Sequence, residues 1–236
     1  PMAQPVSTEV YSRDAVYRQM RRQIIDFTLL PGELLSENTL AAQMHTSRTP
    51  VREAIARLAC EHCVEVFPQR GTQVSRISMQ LMHHAAFLRL VLEREVVEHL
   101  CRTGLTDGQA EELEQSLARQ RALYAERQSY ELLEEDLRMH GLFYRYCGRE
   151  RAGDAFTAID CDFLRTCYLK IVTYSYQPNV AAARGWESHL TEHRLILDAL
   201  RRRDYEALRF TVQQHILQVE QEGDHLRRIY PQYFCA

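Results

Sequence analysis

The chain has 236 residues, 45% apolar and 26% charged, which is room for two modest globular domains and excludes a disordered polypeptide. Nine Gly and seven Pro are sparse punctuation for this length, so long helices are expected rather than many short strands. A net charge of −3 carries no general signal for polyanions; the residues to Arg76 hold nine basic and eight acidic side chains, the remainder twenty and twenty-four, an asymmetry of the sign a DNA-binding N-terminal half needs but a small one. No apolar run approaches the roughly 18 residues of a membrane helix, and Pro1 to Val10 has no signal-peptide pattern. The seven Cys have no framework spacing, as expected of reduced thiols in a cytoplasmic protein without a membrane partner.

From Asp14 to Phe27, Val16, Met20 and Ile24 recur every four residues, which predicts one amphipathic helix closed by Leu30-Pro31-Gly32. Ser36 is placed to cap a short helix over Glu37 to Met44. His45-Thr46 forms a turn, and Ser47 is placed to cap a third helix with Pro50 in its first turn and Val51, Ile55 and Leu58 on its apolar side. Cys60 and Cys63 form a lone C-x-x-C; without a second pair, two small apolar residues at a helix end is the preferred reading over zinc or redox chemistry. Val64 to Phe67 and Gly71 to Val74 bracket Pro68-Gln69-Arg70 as a hairpin.

Beyond Ser78 the pattern is helical throughout, with stretches from Ser78 to about Cys101, Thr106 to Arg127, Tyr130 to Cys147 and Asp154 to Tyr174. After a break at Gln177-Pro178-Asn179 come Trp186 to Arg202 and Asp204 to Ile229. The expected fold class is therefore mainly α. A winged helix-turn-helix with a two-stranded wing covers residues 8–76, and an all-α bundle of six or seven helices covers 77–232.

Arg48, Thr49 and Arg52 stand at the start of the third helix, the part that enters the major groove in this docking mode. Arginine can donate a bidentate pair to guanine. In the wing, Gly71 permits close backbone approach to a duplex and Arg70 can reach phosphate or the minor groove. Any one of these arginines alone would read as a solvated surface charge; the set at this spacing reads as a partner surface for double-stranded DNA.

The runs Leu30-Pro31-Gly32, Leu35-Ser36-Glu37, Leu40-Ala41, Ser47-Arg48-Thr49-Pro50-Val51-Arg52-Glu53-Ala54, Arg57-Leu58 and Pro68-Gln69-Arg70-Gly71 resemble the GntR family of transcription regulators. The resemblance adds Ser36 and Arg57 to the DNA-binding set. Two departures are His45 and His62, where the family usually has Gly, and at His45 a less tight turn between the helices is expected; Asn38-Thr39 also replaces a commonly charged pair. The helical second half is similar to the FadR branch, whose sensing domain has six or seven helices of the FCD type.

Polar residues on apolar faces suggest a metal in that half. Leu132, Leu133, Asp136, His140 and Phe143 share one stripe; Leu190, His193, Leu197 and Leu200 a second; Leu208, Val212, His215, Ile216 and Val219 a third. One carboxylate and three imidazoles are thus expected to face the interior, where a shared cation offsets the cost of a buried charge. A single His on an apolar face is more often a hydrogen-bonded core residue, but Asp136, His140, His193 and His215 also resemble the branch's metal-binding pattern, with Met139 as a departure and His189 as a substitute or outer partner. The ligand set suits Zn, Ni, Mn or Fe. Arg89, followed by Glu93, resembles the family's inward-facing Arg and can clamp a carboxylate effector; the competing reading is an i,i+4 surface pair. Arg165 and Tyr168 are weaker candidates for the same pocket. The stretch Glu131 to Asp136, Asp136 excepted, and Arg201 to Arg203 read as solvated helix ends.

The expected function is a homodimeric regulator, not an enzyme, that binds a palindromic operator and responds to a small organic acid. Its rivals are a metal-dependent hydrolase and a regulator whose metal is purely structural.

Overall fold

A computed structural model of the chain describes residues 13–176 and 185–235. They divide between Arg76 and Ile77 into two compact units. The Gln177-Pro178-Asn179 break and the first residues of the expected DNA-binding domain lie outside the described residues.

In the first unit, α1 (Arg13–Ile25) is followed by β1 (Leu34–Leu35), α2 (Glu37–Gln43), α3 (Arg48–Cys60), β2 (Val64–Phe67) and β3 (Gly71–Val74). The apolar stripe of α1, Val16, Met20 and Ile24, is fully buried with Val51 and Leu58 of α3, which is the burial that makes a short, mostly polar helix stable. Ser36 caps α2 by accepting from the Thr39 N–H. Ser47 occupies the corresponding position before α3 but makes no capping hydrogen bond. The sheet has three antiparallel strands in the order β1-β3-β2, with Leu35 opposite Thr72 and Val66 opposite Thr72 on the other side. The two-residue β1 adds to the expected hairpin; it is too short to show alternation in sequence.

The turn at His45 is not loosened. His45 and His62 adopt positive φ, 48° and 58°, the left-handed conformation in which glycine carries no Cβ penalty. Each closes its helix through a six-to-one hydrogen bond, Thr46 N–H to the Ala41 carbonyl and Cys63 N–H to the Leu58 carbonyl, both 2.9 Å, the Schellman geometry. The backbone keeps the glycine turn and the side chain bears the strain.

The second unit contains α4 (Met79–Thr103), α5 (Asp107–Ala125), α6 (Ser129–Tyr146), α7 (Glu150–Thr157), α8 (Cys161–Tyr174), α9 (Trp186–Arg202) and α10 (Tyr205–Ile229). Ser78 and Asp204 cap α4 and α10, and Thr106 with Gln109 forms a full capping box on α5. Gly104 ends α4 at φ 85°, with the Arg203 guanidinium packed where a Cβ would stand. The helix expected from Asp154 to Tyr174 is two helices. α7 starts earlier and stops at Thr157, and the Ile159 N–H closes a tight turn on the Phe156 carbonyl before α8 begins. This turn lets Phe156 and Phe163 meet edge to face at 5.6 Å, a contact that an uninterrupted helix, with the two seven positions and so about two turns apart, would hold apart. Glu135 also departs from expectation: it is buried and accepts from Ser116 and Arg138. After α10, a single 3-10 turn brings Phe234 into a parallel bridge with Ile77. Among the described residues no helix is long and apolar enough to cross a membrane.

Candidate metal centre and DNA-reading surface

α6, α9 and α10 each send an imidazole to one point in the second unit. His140, His193 and His215 are 3%, 0% and 1% exposed, and Asp136, one turn before His140, is 2% exposed. The three Nε2 atoms stand 3.2–3.3 Å apart in a near-equilateral triangle. Asp136 Oδ1 lies 3.3 Å from His193 Nε2 and 3.9 Å from His140 Nε2.

The outer nitrogens decide what that triangle is. His140 Nδ1 is 2.7 Å from Glu93 Oε2, His193 Nδ1 is 2.9 Å from Gln120 Oε1, and His215 Nδ1 is 2.8 Å from Glu192 Oε2. With the two glutamates ionised, each of these oxygens accepts, so each Nδ1 carries the proton and donates. In their neutral form the rings present three Nε2 lone pairs to one another, with no hydrogen to share. Asp136 Oδ1 is buried without a hydrogen-bond partner, a costly arrangement for a protein alone. An ion bound at about 2.0–2.1 Å holds neighbouring ligand atoms about 3.0–3.4 Å apart, the range the three nitrogens and the Asp136–His193 pair already occupy. The residues thus fit a divalent transition metal, with the outer shell of acceptors that such sites use to fix ring orientation. Burial, reinforced by the neighbouring rings, holds His193 and His215 well below the ordinary imidazole range, and burial raises Asp136.

Arg89 and Glu93, on α4, form a buried pair rather than a surface one. Glu93 Oε1 accepts from Arg89 Nε at 2.7 Å while its other oxygen holds His140. Burial alone would raise the Glu93 carboxyl; the Arg89 charge and His140 outweigh it and hold it well below the usual range. With Nε taken, the free edge of Arg89 is Nη2, which is buried without a hydrogen bond, 3.8 Å from Asp136 Oδ2. Phe156 and Phe163 flank the guanidinium.

The weaker candidates lie elsewhere. Arg165 is fully buried and ion-paired with Asp162, whose other oxygen accepts from the Ser78 N–H. It sits on the side of α8 opposite Phe163, which flanks Arg89, two residues being about 200° around a helix. Tyr168 is only half-buried on that helix. His189 packs against His215, ring centroids 4.2 Å apart, and lies 3.6 Å from Glu192, so it is an outer neighbour that does not join the triangle. Gln120, Glu192 and Lys170, the single lysine of the sequence, were not singled out as site residues by sequence; the first two act as acceptors behind a His. Their signal was present only in burial. Cys60 and Cys63 are free thiols, one exposed and one buried.

In the first unit, Glu37 at the start of α2 gathers the two arginines of α3. Its Oε2 accepts from Arg48 Nη2 and Arg52 Nε, both at 2.7 Å. The hydrogen bond from Arg48 lowers the Glu37 carboxyl most; burial opposes it, and the hydrogen bond from Arg52 and both guanidinium charges add to the lowering, so the carboxyl lies below its ordinary value. One turn apart on one face, the two guanidiniums project with Thr49 from the exposed start of α3. Arg57 lies on the opposite side of that helix, over the Tyr17 ring and paired with Asp14, where it braces α1. Ser36 is occupied as the α2 cap. Arg70 and Gly71 are exposed in the hairpin turn; Gly71 has φ 102° and open space around its Cα.

Residues 12–74 match the bacterial regulatory proteins, gntR family, and residues 84–218 match the FCD domain. The chain is 28% identical over 225 residues to the HTH-type transcriptional repressor RspR of Escherichia coli K12, covering 95% of the chain and 92% of that protein. It is 30% identical over 225 residues to an HTH-type transcriptional regulator in an unstable DNA locus of Streptomyces ambofaciens, covering 95% and 90%. The solved structure of E. coli McbR/YncC superimposes with a TM-score of 0.71 at 21% identity, covering 94% of this chain and 98% of that one.

Proposed function

The chain belongs to the gntR family of bacterial regulatory proteins, with an FCD domain as its second unit, and from that premise we propose a specific working scheme for this transcriptional regulator. It binds a palindromic operator as a homodimer, two-fold protein symmetry imposing two-fold operator symmetry. Arg48 and Arg52, gathered by Glu37, read bases from the exposed start of α3 beside Thr49, while Arg70 and Gly71 bring the wing onto the backbone. Ser36 and Arg57 act indirectly, by holding α2 and α1 against α3.

Asp136, His140, His193 and His215 hold a divalent transition metal in the FCD domain. When bound, the ion supplies a positive centre that draws an anionic oxygen to the interior. Glu93, Gln120 and Glu192 fix the three rings, and Arg89 offers Nη2 to a carboxylate beside Asp136. Arg165 and Tyr168 support the helix that carries this wall rather than touching the effector. An effector that binds one arrangement of the helices better than another shifts that population, and with it DNA affinity.

The observation that carries this scheme is the triangle of unprotonated Nε2 atoms beside an unpartnered Asp136 oxygen. It is tested by selecting duplexes from a randomised pool with metal-loaded protein. Binding to the selected duplex is then measured with and without small carboxylic acids, before and after metal removal. Two-fold symmetric sites and carboxylate-dependent affinity that needs the metal are expected. Loss of melting temperature on metal removal, with carboxylate-dependent DNA binding unchanged, would make the metal structural instead.

A further inference from the structure

The interior beside the histidines holds a second cationic group that neither the metal site nor Arg89 uses. Lys170, on α8, is 1% exposed. Its ammonium donates to Gln218 Oε1 at 2.7 Å and stands 3.5 Å from His189 Nδ1. Among the described residues no carboxylate lies within ion-pair distance of it. An ammonium has three hydrogens to donate, and a buried cation without an anion is a costly group to keep.

Trp186, fully buried at the start of α9, stands with its ring 4.4 Å from His189 and its Nε1–H without an acceptor. Arg89 Nη2 is the third group of this kind. With Asp136 Oδ1 assigned to the metal, these three neighbours of the site are all donors. A shortage of acceptors points to a ligand that brings its own oxygens. Glu192, the nearest carboxylate on the Lys170 side, is occupied by His215 Nδ1 at 2.8 Å.

The donors fall into two groups flanking the same cluster. Arg89 is joined to His140 through Glu93 and stands beside Asp136. Lys170 and Trp186 both stand against His189, whose ring lies 4.2 Å from that of His215. We propose that the effector carries two anionic groups, one received at Arg89 and the metal and the other at Lys170 and Trp186 Nε1, so that the domain selects dicarboxylic over monocarboxylic acids. The inference rests on the reading of the metal-centred interior as the effector site.

The test uses the metal-loaded full chain, titrated calorimetrically with acetate, propionate, malonate, succinate and glutarate. At least one dicarboxylate is expected to bind about tenfold or more tighter than either monocarboxylate, since donors left without their acceptor penalise the shorter acid. Lys170→Met, which keeps the volume and removes the charge, is expected to reduce that preference to about twofold and to leave monocarboxylate binding nearly unchanged. Because the variant loses an uncompensated buried charge, its ligand-free melting temperature should be no lower than that of the wild type; Lys170→Gln serves the same comparison with a polar side chain. Equal binding of both acid classes by the wild type, or an undiminished preference in both variants, overturns the inference while leaving the effector site standing. Failure of all five acids to bind overturns the inference and the effector reading together.

Discussion

Replacing Glu93 by Gln removes one charge from a buried chain of groups. In the wild type its two oxygens accept from Arg89 Nε and His140 Nδ1, each at 2.7 Å, and Asp136 Oδ2 lies 3.8 Å from Arg89 Nη2. The amide keeps the size and one acceptor oxygen, so one of the two contacts is lost and the guanidinium is left with Asp136 alone. Breaking a buried ion pair by removing one partner costs about 3–5 kcal/mol. In a domain of this size each kcal/mol lowers the melting midpoint by about 2–4 °C, so a drop of about 6–20 °C is expected. Adding Arg89→Met leaves no uncompensated charge and should recover most of the loss, giving a large coupling in the double-mutant cycle. Without Glu93 the His140 ring loses the acceptor that sets its tautomer, and metal affinity should fall about 10–100-fold. Calorimetric melting of the four metal-stripped proteins, with zinc competition against a chelator, measures both effects. A single variant melting within about 2 °C of the wild type, or a double variant below both singles, would refute the reasoning.

Three other outcomes follow from the same geometry. Glu37→Gln leaves Arg48 and Arg52 without their shared anchor; exposed pairs of this kind are worth about 0.2–1 kcal/mol, so melting should barely move. Anisotropy titrations should show weaker binding to a selected duplex and stronger binding to a scrambled one, since a negative charge has left the DNA-facing surface; parallel changes in both would contradict a positioning role. His62→Gly, at φ 58°, should raise denaturant stability by up to about 1 kcal/mol, the left-handed strain relieved less the added chain entropy, and a loss of stability would contradict it. Burial holds His189, His193 and His215 well below the imidazole value of 6.5, so they are neutral when folded while the unfolded chain takes up protons; their contribution is present above about pH 6.5 and lost as pH falls. Glu192, raised by burial from 4.5 to about 7, has the opposite sign, its contribution being present below 4.5 and lost as pH rises through 7. The three lowered imidazoles are expected to outweigh the two raised carboxyls, Glu192 and Asp136, so the metal-free protein should melt lower at pH 5 than at pH 7, despite the Arg89, Lys170 and Glu93 charges around them. A midpoint that is flat or rises toward pH 5 would contradict this.

The helical stripes and caps were legible because they depend on residues three or four apart. Val16, Met20 and Ile24 announce α1, and Ser78 and Thr106 announce α4 and α5. The inward faces of Asp136, His140, His193 and His215 follow from the same periodicity, which specifies the side a residue occupies on its own helix. Partners on other helices are a different matter. Nothing local tells that Gln120 stands behind His193 from 73 residues away, or that Asp162 rather than a ligand holds Arg165. The turn between α7 and α8 was hidden because Ala158, Ile159 and Asp160 include neither Gly nor Pro; the chain breaks there to bring Phe156 onto Phe163, a tertiary contact that overrides helix propensity. His45 misled in the other direction, since a residue other than glycine suggested a less tight turn and the backbone kept the same one, as it did at His62.

The most direct measurement is the affinity of the metal-loaded regulator for a selected palindromic duplex, titrated with a dicarboxylate such as succinate and repeated on metal-stripped protein. If the FCD domain is a metal-centred sensor coupled to the DNA reader, the dissociation constant should shift by about 5–150-fold with metal and stay nearly constant without it. An affinity that ignores the acid, or that responds equally after the metal is gone, would contradict it.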